Sequence, residues 1–242
     1  MSSWQDFAEL KCLIDLDITL LNETSLRVGC RETRKTTVID NPVERKTIIV
    51  NGKKKEIPYI PGSTLKGCMR SLAERIAKSW GWWVCNPFSH EDKEREDLEE
   101  PCIVCKVFGG GGSRSKRVAS HVSFSDAYPE RPEEVITTTR TRTAIDRVLG
   151  SVRSGALFTV EEIPPGFRWK FSMRITNIDL SDSSDDRAKL LKALLKWLSD
   201  PGIHVGSLKS VGYGLVKMIE VKAHRYTIVD GELRKESLTL NI

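Results

Sequence analysis

No stretch of the 242 residues approaches the ~18 consecutive apolar residues of a membrane-spanning helix, so no membrane contact is expected. The first residues, MSSWQDFAELK, lack the basic and apolar regions of a secretory signal, and a cytoplasmic location is expected. In a reducing compartment the six cysteines, at 12, 30, 68, 85, 102 and 105, should be free or metal-bound rather than paired as a disulfide framework. The G-x-x-x-x-G-K-[ST] spacing of a nucleotide-binding loop is missing, and with it any sequence argument for ATP. There is no internal repeat and no coiled-coil heptad.

What the chain has is charge, unevenly placed. The formal net charge is only +5, yet Arg27 to Arg75 carries twelve Lys or Arg against five acids, whereas Glu91 to Glu100 carries seven acids against two bases. A basic tract beside an acidic one reads as an electrostatic footprint for a polyanion on one face and a solvated segment elsewhere.

Periodicity gives the element order. Lys11 to Leu21 reads as a strand with Cys12, Ile14, Leu16, Ile18 and Leu20 on its apolar face. A hairpin is expected around Asn51-Gly52. In IPYIPGSTLKGCMRSLAERIAKSW, residues 57–80, Ser63 is the expected N-cap of a helix beginning at Thr64, with Leu65, Met69, Leu72 and Ile76 inward and Lys66 and Arg70 on a flank. Its Pro-Gly-Ser approach is a candidate anion cradle, because the first amides of a helix have no intrahelical partner. Trp80 to Gly112 reads as an insertion rather than core, and Val118 to Phe124 as a strand. Thr137 to Glu162 reads as a protruding hairpin, followed by a strand at Phe167 to Ile175, a helix at Asp185 to Leu198, and a glycine-punctuated loop running into a strand by Val221. Strand-helix-strand twice over suits an α+β, ferredoxin-like or RNA-recognition-type fold with an antiparallel sheet.

Three constellations carry chemistry. Cys85, His90, Cys102 and Cys105 have a C-x4-H and C-x2-C spacing that can close a tetrahedral structural zinc site. Such a metal would also give shape to a charged segment with little apolar content. Arg140, Arg142, Arg147 and Arg153, interleaved with threonines, suit phosphate and sugar contacts. In HVGSLKSVGYG, residues 204–214, glycines permit close approach, Lys209 supplies charge and Tyr213 can stack on a base.

Taken together in chain order, Ile39-Asp40-Asn41-Pro42-Val43, Ile60-Pro61-Gly62-Ser63-Thr64-Leu65-Lys66-Gly67, Cys102-Ile103-Val104-Cys105, Ala144-Ile145-Asp146-Arg147 and the 206–214 loop resemble the RAMP superfamily. More narrowly, they resemble the repeated backbone subunit of type III CRISPR effector complexes. The resemblance implies one domain over residues 1–242, a modified RNA-recognition fold with a zinc-bearing lid at 81–117 and a thumb hairpin at 137–163. It implies copies stacked helically along a CRISPR RNA with other effector subunits, the thumb interrupting the duplex of guide and complementary target RNA. Asp40 matches the aspartate that cuts the target, with magnesium or manganese as the divalent cation. Ser63, Thr64, Lys66 and Arg70 match the guide-contacting helix, and Gly206, Lys209, Gly212, Tyr213 and Gly214 the glycine-rich loop. Arg31 to Lys35, RETRK, stands where the family has a glycine-rich approach. The resemblance also admits a purely structural relative, and Asp40 discriminates between the two. Nucleases that mature CRISPR transcripts usually need an acid-base partner beside that loop, and only His204 stands there, where imidazole more readily satisfies local backbone groups.

Overall fold

A computed structural model describes residues 7–29, 39–50, 52–86, 88–98, 100–110 and 118–240. The expectations for Cys30, Arg31 to Lys35 and Asn51, and for positions 111–117 of the lid, lie outside the described residues. In chain order the elements are β1 (Leu13–Asn22), β2 (Arg45–Val50), β3 (Lys53–Pro58), α1 (Gly62–Ser79), α2 (His90–Leu98), α3 (Ile103–Phe108), β4 (Val122–Phe124) and β5 (Tyr128–Pro129). They continue with β6 (Thr138–Ile145), β7 (Val152–Glu162), β8 (Arg168–Thr176), α4 (Asp186–Ser199), β9 (Ile203–His204), β10 (Leu215–Val229) and β11 (Glu232–Leu238).

The main sheet runs β11-β10-β1-β8-β4, with β5 on β8 and β9 on β10. Every pairing in it is antiparallel. Counting only the strands of the two strand-helix-strand units, β1, β4, β8 and β10, the order is fourth, first, third, second, which is the ferredoxin-like arrangement; the expected fold class holds. On β1, Ile14, Leu16, Ile18 and Leu20 face inward, and on β8, Trp169, Phe171, Met173 and Ile175 do the same. Against them lie α1, through Leu65, Met69, Leu72 and Ile76, and α4, through Leu190, Leu191, Leu194, Leu195 and Leu198. Each buried leucine stabilises the layer by about 1.5–3 kcal/mol relative to exposure. Asp185 caps α4 by accepting from the Arg187 amide at 2.8 Å.

Several boundaries differ from the periodic reading. Residue 118 forms only a bridge to Gly110, and the strand proper begins at Val122. The segment after α1 is not outside the core: Val84, Cys85, Val104, Val107 and Phe108 join the main apolar cluster. The acids of 91–100 dominate the local composition and obscure the apolar face of the short α3. Two hairpins stand apart from the main sheet, β2-β3 and β6-β7. The second grows from a buried root at Val160 to Ile163 to an exposed tip around Val148 and Leu149. There Asp146 accepts the Val148 and Leu149 amides, each at 2.9 Å, which folds the turn.

Candidate nucleic-acid interface

The start of α1 differs from expectation. The helix begins at Gly62, and Pro61 is the N-cap and makes no side-chain capping bond of its own; Ser63 is an exposed helical residue. A proline with its φ of −58° is well suited to the position before a helix. Gly62 is pressed against the β4-β5 connection, where an added Cβ would lie 2.5 Å from the Phe124 carbonyl oxygen. Asp126 takes the Gly62 amide at 2.9 Å and the Lys46 ammonium at 2.8 Å. Burial opposes ionisation of Asp126, but Lys46 and the Gly62 amide outweigh it and hold the carboxyl below its usual range. The positive end of α1 therefore already has a carboxylate beside it, and its first amide is taken.

Lys66 and Arg70 are half-buried. The Lys66 ammonium donates to Ser120 Oγ at 2.9 Å, and burial with the neighbouring Arg70 lowers its pKa. Arg70 donates to the Gly109 carbonyl at 2.8 Å, to Cys105 Sγ at 3.3 Å and to Glu74 at 3.3 Å. It joins α1 to the cysteine cluster.

That cluster consists of Cys85, Cys102 and Cys105, all buried, with sulfurs within 4.8 Å of one another. Cys85 Sγ lies 3.5 Å from both Cys102 Sγ and Cys105 Sγ. A tetrahedral zinc with Zn–S of about 2.3 Å has S–S edges of roughly 3.8 Å, so three thiolates fit three corners of such a site. The sulfur hydrogen bonds from Cys105 and then Cys85 pull the Cys102 thiol down to about 2, favouring the thiolate that a metal requires. His90 is not brought into this group: it is exposed as the first residue of α2. The preceding turn carries it there, held by Ser89 N to Asn86 O at 2.9 Å and Asn86 N to Asp92 Oδ2 at 2.7 Å. The three cysteines of the spacing come together in the fold, and the spacing is silent about that turn.

In the glycine loop, Lys209, Ser210, Val211 and Gly212 are exposed on a short 3-10 turn, while Gly214 is buried. Gly206 and Gly214 have φ of +86° and +83°, and a Cβ on either would meet the Arg27 carbonyl oxygen at 2.0 Å or the Val205 carbonyl oxygen at 2.1 Å. Gly206 lets the loop press onto the chain after β1, and Gly214 lets the two limbs of the loop close on each other at Val205. Tyr213 cannot stack on a base, because it is only 4% exposed. Its hydroxyl bonds Glu162, and the Arg142 guanidinium covers its ring at 4.8 Å. His204 Nδ1 lies 2.9 Å from the Tyr213 carbonyl oxygen, a structural bond.

Asp40 is exposed, and its Oδ2 accepts the Thr159 amide of β7 at 2.7 Å. Asn41 continues the contact as a parallel bridge to Val160, with Asn41 N to Thr159 O at 3.2 Å and Glu161 N to Asn41 O at 3.1 Å. The side chain of Asn41 accepts from Arg27 at 3.1 Å, and Arg27 also donates to Ser207 Oγ at 2.5 Å. Thus the Asp40 segment, the hairpin root and the glycine loop meet at one place. Arg140 lies beside them, 3.6 Å from Glu162 Oε1, and Arg142 is committed to Tyr213. Arg147 and Arg153 are exposed toward the outer part of the hairpin, away from that junction in the strand register.

Sequence reasoning missed Arg27, Arg45, Glu161 and Glu162. Glu161 and Glu162 are each 4% exposed. Glu162 accepts from Tyr213, and Glu161 from the Val43 amide at 2.9 Å and from both terminal nitrogens of Arg45. Burial works against ionisation of Glu161, but Arg45 and the Val43 amide outweigh it and hold its carboxyl below the usual range. The available signal was an adjacent pair of acids ending an otherwise basic, Thr-rich hairpin.

A model of the RAMP superfamily matches residues 20–217. The CRISPR system Cms endoribonuclease Csm3 of Methanocaldococcus jannaschii is 29% identical over 222 residues, covering 88% of this chain and 81% of that protein. A chain of a type IV-B CRISPR complex superposes with a TM-score of 0.58 at 19% identity, over 86% of this chain and 90% of the other, a likeness of fold.

Proposed function

The chain belongs to the RAMP superfamily, and from that premise we propose that it is the CRISPR RNA-binding backbone subunit of a type III effector complex and cuts guide-complementary target RNA with Asp40. The observation that carries this reading is an exposed carboxylate held by one oxygen, at 2.7 Å, to the root of a projecting basic hairpin. The hairpin root and the glycine loop meet beside that carboxylate, and the α1 flank and the Lys209 turn offer further cationic and hydroxyl groups; such groups suit a guide and target backbone. Residues 81–117 would form a lid carrying structural zinc on Cys85, Cys102 and Cys105, and residues 137–163 a thumb that interrupts the duplex. The partners are guide RNA, target RNA, further copies of this chain and the other subunits of the complex.

RNA brings its own nucleophile in the 2′-hydroxyl, so the protein's task is to hold the backbone splayed for in-line attack and to stabilise charge. Fixing Asp40 Oδ2 on the Thr159 amide orients the carboxylate and leaves Oδ1 for the reaction, as a proton acceptor or a cation ligand. A magnesium or manganese ion on one carboxylate and RNA phosphates, a donor set usual for these hard ions, would neutralise charge at the scissile phosphate. The arginines beside the hairpin root, Arg27 and Arg140, keep target oxygens near that carboxylate.

The test is Asp40→Ala in the assembled complex with complementary RNA and a divalent ion, with binding and cutting measured separately. Binding should persist and cutting should be lost. Undiminished cutting would place the activity elsewhere, and lost binding would make Asp40 a structural residue.

A further inference from the structure

We propose that Glu161 is a positioning residue for Asp40, registering the 39–45 segment on β7 so that the aspartate takes its position from the hairpin rather than from the helical layer. The inference rests on the Asp40 reading above. Three successive parts of this segment meet one strand: Asp40 at the Thr159 amide, Asn41 at Thr159 and the Glu161 amide, and Val43 at the Glu161 side chain. The first two contacts use backbone groups of β7 and would survive many substitutions. The third depends on a carboxylate.

That carboxylate does two jobs, and both of its oxygens are used. Oε2 accepts the Val43 amide and Arg45 Nη1, both at 2.9 Å, while Oε1 accepts Arg45 Nη2. Arg45 opens β2, and its Nη2 also reaches Thr137 Oγ1 at 3.2 Å, just before β6. One buried side chain therefore closes the segment at Val43, fixes the start of the next strand, and ties both to the two legs of the hairpin. A glutamine with its oxygen in the place of Oε2 keeps the Val43 amide and Arg45 Nη1, but it turns an NH2 group toward Arg45 Nη2 and gives up the charge, so the arginine fork is held by one bond instead of two. An alanine takes this acceptor from the buried Val43 amide and the carboxylate from the guanidinium. In either case Asp40 retains its bond to Thr159, while the downstream anchor three residues away is weakened by glutamine and lost with alanine. The expected result is a carboxylate on a looser tether beside an unchanged RNA-binding surface, because Glu161 is buried and does not itself meet RNA.

The experiment compares wild type, Asp40→Ala, Glu161→Gln and Glu161→Ala in the assembled, guide-loaded complex. It measures target affinity, single-turnover cutting and product positions, together with hydrogen exchange at residues 39–45 and, as reference, α1. Glu161→Ala should leave affinity within about threefold and slow cutting by roughly 10–100-fold, the penalty of a misplaced group. Products should keep their positions, and exchange should rise at Val43 to Arg45 but not in α1. Glu161→Gln should fall between alanine and wild type, and it serves as the informative variant if alanine fails to assemble. Wild-type cutting by both Glu161 variants beside an inactive Asp40→Ala would overturn the inference alone. So would a fall in target affinity that parallels the fall in rate, or unchanged exchange at 43–45. Wild-type cutting by Asp40→Ala would overturn the Asp40 reading and this inference with it.

Discussion

Replacing Gly206 by alanine tests whether the glycine-rich loop is built for packing or for ligand approach. Its φ of +86° lies in the left-handed region, which costs a non-glycine residue about 1–2 kcal/mol. The new Cβ would sit 2.0 Å from the Arg27 carbonyl oxygen. That carbonyl cannot simply retreat, because it accepts the Ser207 amide at 3.0 Å while the Arg27 side chain holds Ser207 and Asn41. Overpacking adds about 1–3 kcal/mol, for a total of roughly 2–5 kcal/mol. For a chain of this length each kcal/mol lowers Tm by about 2–4 °C. Gly212 is the internal control: its φ is +89°, yet beyond its chain neighbours no atom lies within 4 Å of the place a Cβ would take, so only the backbone cost applies. Urea and thermal unfolding of the purified chain should show Gly206→Ala destabilised well beyond Gly212→Ala. On the proposed RNA-binding reading, guide RNA affinity should be the more affected property in Gly212→Ala, where an added methyl points into space free of protein. Equal destabilisation by the two substitutions would refute the close-packing argument.

Two further outcomes follow from the same geometry. Native protein should hold about one zinc per chain, lost in Cys102→Ser and weakened in Arg70→Ala, whose guanidinium is 3.3 Å from Cys105 Sγ without being a ligand; elemental analysis decides both. Lys209→Ala should flatten the salt dependence of guide binding by about 0.7 in logarithmic slope for one lost phosphate contact, and Lys66→Ala by less, since its ammonium is already bonded to Ser120. A Lys66 effect equal to that of Lys209 would show that RNA displaces the Ser120 bond.

Alternation and helical spacing are local properties, and they made β1, β8, α1 and α4 legible because each has one face against a single core. The ferredoxin-like order followed from those four and the strands that complete them. The grouping of Cys85, Cys102 and Cys105 was legible because the C-x2-C spacing is itself a local pattern. What stayed hidden depends on distant partners. Arg70 looked like a free surface cation because Gly109 and Cys105 are over thirty positions away. Tyr213 looked available for stacking because its coverings, Glu162 and Arg142, come from the hairpin. The N-cap was misplaced for a similar reason: Asp126 satisfies the Gly62 amide from 64 residues along the chain, which a rule about neighbouring residues cannot see.

The outermost strand, β11, bears on how copies of such a chain avoid joining in the wrong way. An unpaired strand edge is a template for another molecule's backbone, and uncontrolled pairing leads to filaments or precipitate. Here one margin of the sheet is Glu232-Leu-Arg-Lys-Glu-Ser-Leu238, largely exposed and charged, and the other is the three-residue β4. Neither margin invites edge-to-edge growth. On the proposed reading, copies lined up along a guide would be counted out by the length of the RNA, with sheet polymerisation closed off as a competing route.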